Sequence, residues 1–349
     1  MSNLVTGGSG FLGRYVVEQL VARGESVRVF SRSRPACLAL EGVEWQQGDV
    51  QDRGAVGKAC CDIKTVFHCA GLPGIWGKWS RFESINGQGT RNLVEAARDV
   101  GARRFVYTSS PSVVFDGTDM INGNESLPYP RRYLCAYPWS KAIGERAVLE
   151  ANGRDGLATV ALRPHLIWGP GDNHLFPRII QRARQGRLWR VGDGQNVIST
   201  VYVENAAAAH LQAADLLDPD AAHAGKAYFI NDPESINMWD WINQLLAIAD
   251  LPPVTRSVSA ATARRMGALL EWAWQLLRRT SDPPMTRFLA EQLACSHSFT
   301  IEAAIRDFGY RPIVHRDEGI RRLAADLTRH TATPDADYSA SGFAAGTDG

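Results

Sequence analysis

The sequence predicts an α/β protein: a doubly wound parallel sheet followed by a smaller, mostly helical C-terminal lobe. Three observations carry that expectation. Short apolar runs alternate with helix-period segments over the first 165 residues. Three glycines, Gly7, Gly10 and Gly13, fall between the first apolar run and the first helical segment. After residue 165 the alternation gives way to helical segments broken by Pro252-Pro253 and Pro283-Pro284.

Taken in order, Asn3–Thr6 reads as a strand and Phe11–Arg23 as the helix after it. Ser26–Ser31 and Val43–Gln47 read as the second and third strands, and Thr65–Cys69 as a buried fourth. A long loop then leads to a helix over Gly89–Val100, and Arg104–Thr108 is a strand ending in Ser109 and Ser110. A helix starts near Pro138, and Ala158–Arg163 is a further strand. Beyond these, Gly169-Pro170-Gly171 is a turn, Phe176–Gln185 a helix, Val197–Val203 a β-rich run and Ala206–Leu217 an Ala-rich helix. Met238 to about Leu327 is mostly helical. The expected division is a dinucleotide-binding sheet domain over 1–165, rejoined by about 196–217, and a lobe over 166–327 that covers the sheet's carboxyl edge. Residues 328–349, rich in Ala, Asp, Gly and Thr, read as a disordered tail.

Composition narrows the function classes. A chain of 349 residues with 45% hydrophobic and 21% charged residues can bury a full core. Its net charge of +1 offers no general attraction to nucleic acid or to an anionic membrane. The cysteines at 37, 60, 61, 69, 135 and 295 form no CxxC, and no His/Cys spacing resembles a zinc site, so no metal is expected. The chain enters an apolar strand within three residues of its start without a charged n-region or cleavage site, and a cytoplasmic setting is expected. The apolar stretch Met266–Leu277 contains Glu271 and is too short to span a bilayer.

A glycine triplet between strand and helix has a chemical reason. One glycine permits the tight turn, one lets the backbone approach a pyrophosphate, and one lets the helix pack on the sheet. The N–H groups and dipole at the helix start then favour the phosphate's charge. Which dinucleotide binds depends on the end of the second strand, where an acidic side chain would hold ribose hydroxyls. Here the chain reads Ser31-Arg32-Ser33-Arg34. With no carboxylate to repel a 2′-phosphate and an arginine able to pair with one, NADP(H) is favoured over NAD(H). A solvated loop is the plainer reading of those arginines. Asp49, after the third strand, either accepts the adenine amino group or caps the next helix.

Tyr137-Pro138-Trp139-Ser140-Lys141 sets a phenol and an ammonium four residues apart, in a chain with only five lysines. Residues so spaced share a helix face. An ordinary phenol titrates near pH 10 and is a poor base at neutrality; a neighbouring cation favours its ionised form. Upstream, Ser110 closes a strand at the edge where open α/β sheets bind ligands. Its hydroxyl either orients a substrate oxygen or caps a turn.

Together these residues resemble the extended branch of the short-chain dehydrogenase/reductase family over nearly all of residues 1–327. The likeness runs through Thr6–Gly13, Gly48-Asp49-Val50, Phe67–Gly71, Asn86 with Gly89-Thr90, Tyr107–Ser110, Tyr137-x-x-x-Lys141 and Leu162-Arg163-Pro164. Tyr107–Ser110, Tyr137–Lys141, the stretch 161–172 and the stretch 286–293 are most similar to the 3β-hydroxysteroid dehydrogenase group and to bacterial 2-alkyl-3-oxoalkanoate reductases.

The resemblance implies a Rossmann fold with Tyr137 as catalytic acid/base and Lys141 binding the nicotinamide ribose while lowering the phenol's pKa. It implies that Ser110 orients the substrate oxygen, that Gly7, Gly10 and Gly13 hold the pyrophosphate, and that Asp49 and Val50 meet adenine. Phe11, Leu12, Ser31, Arg32, Cys69, Ala70, Gly71, Asn86 and Pro164 complete the implied cofactor set. Two departures stand out. Many relatives carry an acid where Ser31 stands, and the usual His-x-Ala-Ala reads His68-Cys69-Ala70-Gly71. Relatives also often form dimers, so a homodimer is implied as an option.

The expected activity is hydride exchange between a secondary alcohol and a ketone on a lipid-like or steroid-like small molecule. Trp76, in the loop 72–79, and His165 are the expected substrate residues. The apolar segment Leu269–Leu277 reads three ways: a core helix, a wall for a lipid-like substrate, or a shallow peripheral membrane contact. Rivals are a nucleotide-sugar epimerase or 4-reductase, for which Arg178, Arg182 and Arg184 would hold a diphosphate, and a non-catalytic NADP(H)-sensing protein.

Overall fold

The computed structural model describes residues 3–331. Seven parallel strands form one sheet: β1 (Asn3–Thr6), β2 (Val27–Ser31), β3 (Val43–Gln47), β4 (Thr65–His68), β5 (Arg104–Thr108), β6 (Ala158–Pro164) and β7 (Lys226–Ile230). Their spatial order is β7-β6-β5-β4-β1-β2-β3, so the chain reverses direction between β1 and β4. Crossover helices cover both faces, which is why these strands are unbroken apolar runs rather than alternating ones. β1, β4 and β6 are buried at every residue.

On one face lie α1 (Phe11–Ala22) and α6 (Val203–Asp215). Val16, Val17 and Leu20 meet Ala206, Ala207 and Leu211 there in a single core. Small alanines let the two helices approach closely. The opposite face holds α2 (Arg53–Cys60), α3 (Gly89–Asp99) and α4 (Ala136–Glu150), packed through Val56, Leu93, Ala97 and Val148. The Asp52 carboxylate caps α2, accepting from the N–H groups of Gly54 and Ala55 at 2.9 and 3.1 Å. The capping role considered for Asp49 therefore belongs to Asp52.

After β6 the chain leaves the sheet for α5 (Leu175–Arg184), then returns for α6 and β7. The sequence reading assigned no element to 226–230, and β7 is the strand it missed. The lobe adds α7 (Met238–Ile248), α8 (Ala260–Leu276), α9 (Arg287–Ala294), α10 (Glu302–Phe308) and α11 (Arg316–Thr331). Asn237, Ser259 and Thr286 cap α7, α8 and α9 through their side chains. A separate core gathers Trp168, Phe176, Trp239, Trp241 and Leu245.

A four-stranded sheet of short segments joins Met120–Gly123, from the loop after β5, to Val197–Ile198, Ile236–Asn237 and His297–Phe299. The lobe is thereby tied to the carboxyl edge of the main sheet. The last helix runs to Thr331, past the expected start of a disordered tail at 328. The rest of that expected tail lies outside the described residues. Among those described, no helix is long and apolar enough to cross a membrane.

Candidate active site

The loops after β1, β4, β5 and β6 leave the sheet at its carboxyl edge. The first is the glycine turn. Gly7 has a positive φ of 70°, and a Cβ there would lie 2.7 Å from the Ala70 backbone nitrogen. A Cβ on Gly13 would fall against the Gly7 carbonyl oxygen, well inside contact. The Gly7 carbonyl is already used, accepting from Gly10 N at 2.8 Å. Gly10 is the N-cap of α1, and no side chain caps that helix. A turn without room for Cβ atoms, opening a helix that no side chain caps, fits a pyrophosphate on the helix N-terminus. Phe11 and Leu12 begin the helix just behind it.

At the end of β2 the Ser31 hydroxyl is buried and engaged. It donates to the Ser33 carbonyl at 2.7 Å and accepts from the Trp45 indole at 3.2 Å. Arg32 and Arg34 stand exposed beside it. Asp49 is half-buried and accepts from the Gln51 backbone at 2.9 Å, while Val50 is buried against Gly89.

The segment after β4 is held by buried hydrogen bonds. His68 Nδ1 lies 2.7 Å from the Thr6 hydroxyl and its Nε2 3.0 Å from Thr90. Burial pushes its pKa well down, and Lys141 adds to that, so the ring is neutral. Asn86 Oδ1 accepts from Leu72 N at 2.7 Å, and its Nδ2 donates to the Leu72 carbonyl and to Ser140 Oγ, each at 3.0 Å. Asn86 thus clamps the loop after Gly71 against α4. It sits in a π-helical turn over Glu83–Gln88 that continues into α3. The long loop expected before α3 is therefore shorter, since a first helical turn already spans Trp79–Phe82.

Tyr137 and Lys141 lie in the first turns of α4, which begins two residues earlier than Pro138, at Ala136. The Ser110 hydroxyl, which caps the turn Pro111–Val114 and lies 2.9 Å from the Ser112 hydroxyl, neighbours the Tyr137 phenol. Burial pushes the phenol's pKa up, and the Ser110 contact opposes it. Lys141 takes no part in that balance. Its Nζ donates to the Thr108 carbonyl at 2.5 Å and sits 4.1 Å from the centre of the Tyr107 ring. The expectation that Lys141 lowers the phenol's pKa is thus not met in the cofactor-free protein. Burial in turn lowers the Lys141 pKa to about 7, with Glu145 and Cys69 opposing. Its charge is poised rather than permanent.

Beneath Lys141, Glu145 takes two hydrogen bonds from Arg163, at 2.6 and 3.0 Å, and one from the Tyr129 hydroxyl at 2.6 Å. Sequence reasoning quoted Arg163 but missed its partner. The available signal was an arginine inside a fully apolar strand, which demands a buried carboxylate. Of the two expected substrate residues, Trp76 donates its indole N–H to the Arg279 carbonyl at 3.4 Å. His297 donates through Nε2 to the Gln292 carbonyl, so its Nδ1 accepts from His165 Nε2, 2.6 Å away. Pro164 closes β6 just before His165 and is buried.

The glycine turn, Ser110, Tyr137 and Lys141 thus lie at the carboxyl edge of the sheet. Residues 4–257 match the 3-beta hydroxysteroid dehydrogenase/isomerase family. The chain belongs to that family. It is an oxidoreductase of the extended short-chain dehydrogenase/reductase branch, acting on hydroxyl or keto groups. It is 48% identical over 327 residues to a 2-alkyl-3-oxoalkanoate reductase of Stenotrophomonas maltophilia (strain K279a), covering 93% of this chain and 99% of that one.

It is 35% identical over 322 residues to a decarboxylating sterol-4-alpha-carboxylate 3-dehydrogenase of Mus musculus, covering 91% and 88%. The fold is shared with MoeE5 in complex with UDP-glucuronic acid and NAD, at a TM-score of 0.73 and 23% identity over 94% of this chain and 99% of that one. It is shared too with the Thermus thermophilus UDP-glucose 4-epimerase in complex with NAD, at 0.71 and 23%, covering 94% and 99%.

Proposed function

We propose that this oxidoreductase interconverts a ketone and a secondary alcohol on a lipid-like substrate of the 2-alkyl-3-oxoalkanoate or 3β-hydroxysteroid kind, with NADP(H) preferred and NAD(H) accepted. The carrying observation is the Tyr137 phenol beside Ser110, with Lys141 one helical turn on, at the same sheet edge as a glycine turn with no room for Cβ atoms. The nicotinamide, when bound, supplies or takes the hydride. Tyr137 gives its proton to the substrate oxygen, or takes it back, while Ser110 holds that oxygen in line. Lys141 is assigned to the nicotinamide ribose.

Cofactor choice rests on Ser31, whose hydroxyl is fully engaged, and on Arg32, which stands exposed where a 2′-phosphate would lie. NAD(H) stays within the reading, because the small Ser31 leaves room for the ribose even though no acid stands there to hold its hydroxyls. Asp49 and Val50 are assigned to adenine.

The lobe is assigned to the substrate. Trp76, tethered to the end of α8 through Arg279, and His165 at the mouth of β6 are assigned to its wall. The buried face of α8 is Ala263, Gly267 and Glu271, whereas Leu269, Trp272 and Leu276 on its outward face are 64%, 61% and 66% exposed. A core helix is thereby ruled out for that face. Around it Arg265, Arg278 and Arg279 are exposed, and the one acid in the segment, Glu271, is buried on Arg287. An apolar stripe rimmed by cations suits a shallow contact with an anionic lipid surface. Two copies of this chain meeting there would set arginine against arginine. Flotation with phosphatidylglycerol vesicles, lost in Trp272→Glu, tests that contact.

The nucleotide-sugar alternative needs cations free for a diphosphate. Arg178 is paired with Asp282 at 3.3 Å, whereas Arg182 and Arg184 form no salt bridge among the described residues, so that alternative keeps two of its three cations. The deciding experiment is oxidation of NADPH and NADH against 2-alkyl-3-ketoacids, 3-ketosteroids and nucleotide sugars. Turnover of the first two classes is expected. Turnover of nucleotide sugars alone overturns the substrate class, and no turnover with tight NADPH binding favours a sensor.

A further inference from the structure

Lys141 holds a charge inside the protein, so its acceptor must be fixed in direction. That acceptor is the carbonyl of Thr108, the last residue of β5, where the ladder gives way to the turn at Pro111–Val114. The Thr108 side chain points to a different element. Its hydroxyl lies 2.8 Å from Nε2 of His210, in the middle of α6. His210 is fully buried, and its Nδ1 lies 2.7 Å from the Ala206 carbonyl. A carbonyl can only accept, so Nδ1 carries the ring proton and Nε2 is the bare nitrogen. The Thr108 hydroxyl must therefore donate to His210.

We infer that His210 is a positioning residue for Lys141, acting through Thr108 from the opposite face of the sheet. Lys141 approaches Thr108 from α4, and His210 approaches it from α6, so the strand end is gripped from both sides. The plainer alternative is a histidine that merely fills and caps a helix interior; it predicts no effect on Lys141. The groups facing the Lys141 ammonium are Glu145 on its own helix, His68 and Cys69 from β4 and its following loop, and the Tyr107 ring on β5. None of these is a hydrogen-bond partner of His210, so the hydrogen-bonded route from His210 to Lys141 runs through Thr108.

The inference rests on the proposed assignment of Lys141, and one readout is chosen to be independent of it. In cofactor-free protein, the Lys141 side chain is titrated by 13C NMR. His210→Leu removes the acceptor of the Thr108 hydroxyl, frees the carbonyl to turn, and should move that titration down by about one pH unit. His210→Gln, which keeps an acceptor at the Nε2 position, should restore it. Thr108→Val cuts the same bond without disturbing the α6 core and should match His210→Leu, and the double variant should be no worse than either.

NADPH affinity, by fluorescence titration, should fall roughly tenfold in the same variants and recover in His210→Gln. An unshifted Lys141 titration in both His210→Leu and Thr108→Val, with only a lower melting temperature, overturns the inference. So do additive effects in the double variant. Absence of NADPH and NADH binding in the wild-type protein would instead overturn the functional reading, while the Lys141 titration still decides the role of His210.

Discussion

Glu145 and Arg163 form a two-bond ion pair with almost no exposure, one helical turn below Lys141. Each group explains the other's burial. Glu145 is pushed up by burial yet held below the usual carboxylate range by the Arg163 guanidinium, with the Tyr129 hydroxyl adding a hydrogen bond. The pair fixes α4 on β6, and α4 carries both Tyr137 and Lys141.

Removing one partner strands the other in an apolar setting. Arg163→Met or Glu145→Gln should destabilise the fold by about 3–5 kcal/mol, whereas the double change Glu145→Leu/Arg163→Met should recover much of that loss. Urea denaturation of the three variants checks this. A single variant as stable as the wild type would mean that the pair does not secure α4.

The pH dependence of cofactor binding follows from Lys141. Its folded pKa of about 7 lies below its ordinary value, so its charge is lost as pH rises through that point. A ligand whose oxygens accept from the ammonium raises that pKa and takes up a proton on binding. NADPH affinity should therefore weaken as pH rises past 7, with proton uptake seen by calorimetry in buffers of different ionisation enthalpy. For folding, the sign is that of a depressed base. The Lys141 contribution is fully present above the unfolded pKa of about 10.4 and is lost as pH falls through the folded value.

The glycine turn makes a steric prediction. Gly13→Ala puts a methyl group against the Gly7 carbonyl oxygen, with backbone rather than a flexible side chain in the way. The turn must open, and dinucleotide binding should drop by roughly a hundredfold or more, read by fluorescence titration. Tight binding in this variant would show that the turn does not hold the pyrophosphate.

Cofactor preference turns on Arg32. Arg32→Ala should raise the KM for NADPH about tenfold, the loss of one charge-assisted bond, and leave that for NADH unchanged. Equal effects on both cofactors would assign the arginine to the solvated loop.

Most of the sheet was legible as short β-favouring runs set between helical segments: Asn3–Thr6, Val43–Gln47 and Arg104–Thr108 have the bounds that their residues suggest, although Val43–Gln47, at the sheet's edge, is Val-Glu-Trp-Gln-Gln and has no fully buried residue. β7 was not, because Lys226-Ala227-Tyr228-Phe229-Ile230 is a short edge strand entered from a polar turn, with no helical pattern after it to mark a βαβ unit. The Tyr137, Lys141 and Ser110 constellation was legible through spacing, since helix geometry fixes which residues share a face.

What spacing cannot convey is the direction of a charged tip. Lys141 sits on the expected face but aims at Thr108 and Tyr107, not at the phenol. The partners Glu145, Thr108 and His210 come from three elements that only tertiary packing brings together. The outward side of α8 was equally hidden: its stripe of Leu269, Trp272 and Leu276 has the spacing of a core helix, and only the packing of Gly267 on Thr286 shows which side is buried.

The central claim is that Tyr137 moves the proton, and Tyr137→Phe tests it most directly. The phenyl ring keeps its place against the cluster that includes Val113 and Val114 while deleting the hydroxyl beside Ser110. Single-turnover reduction of a 2-alkyl-3-ketoacid by NADPH should slow by on the order of a hundredfold or more, with the NADPH dissociation constant unchanged. Near-normal turnover in that variant would contradict the account.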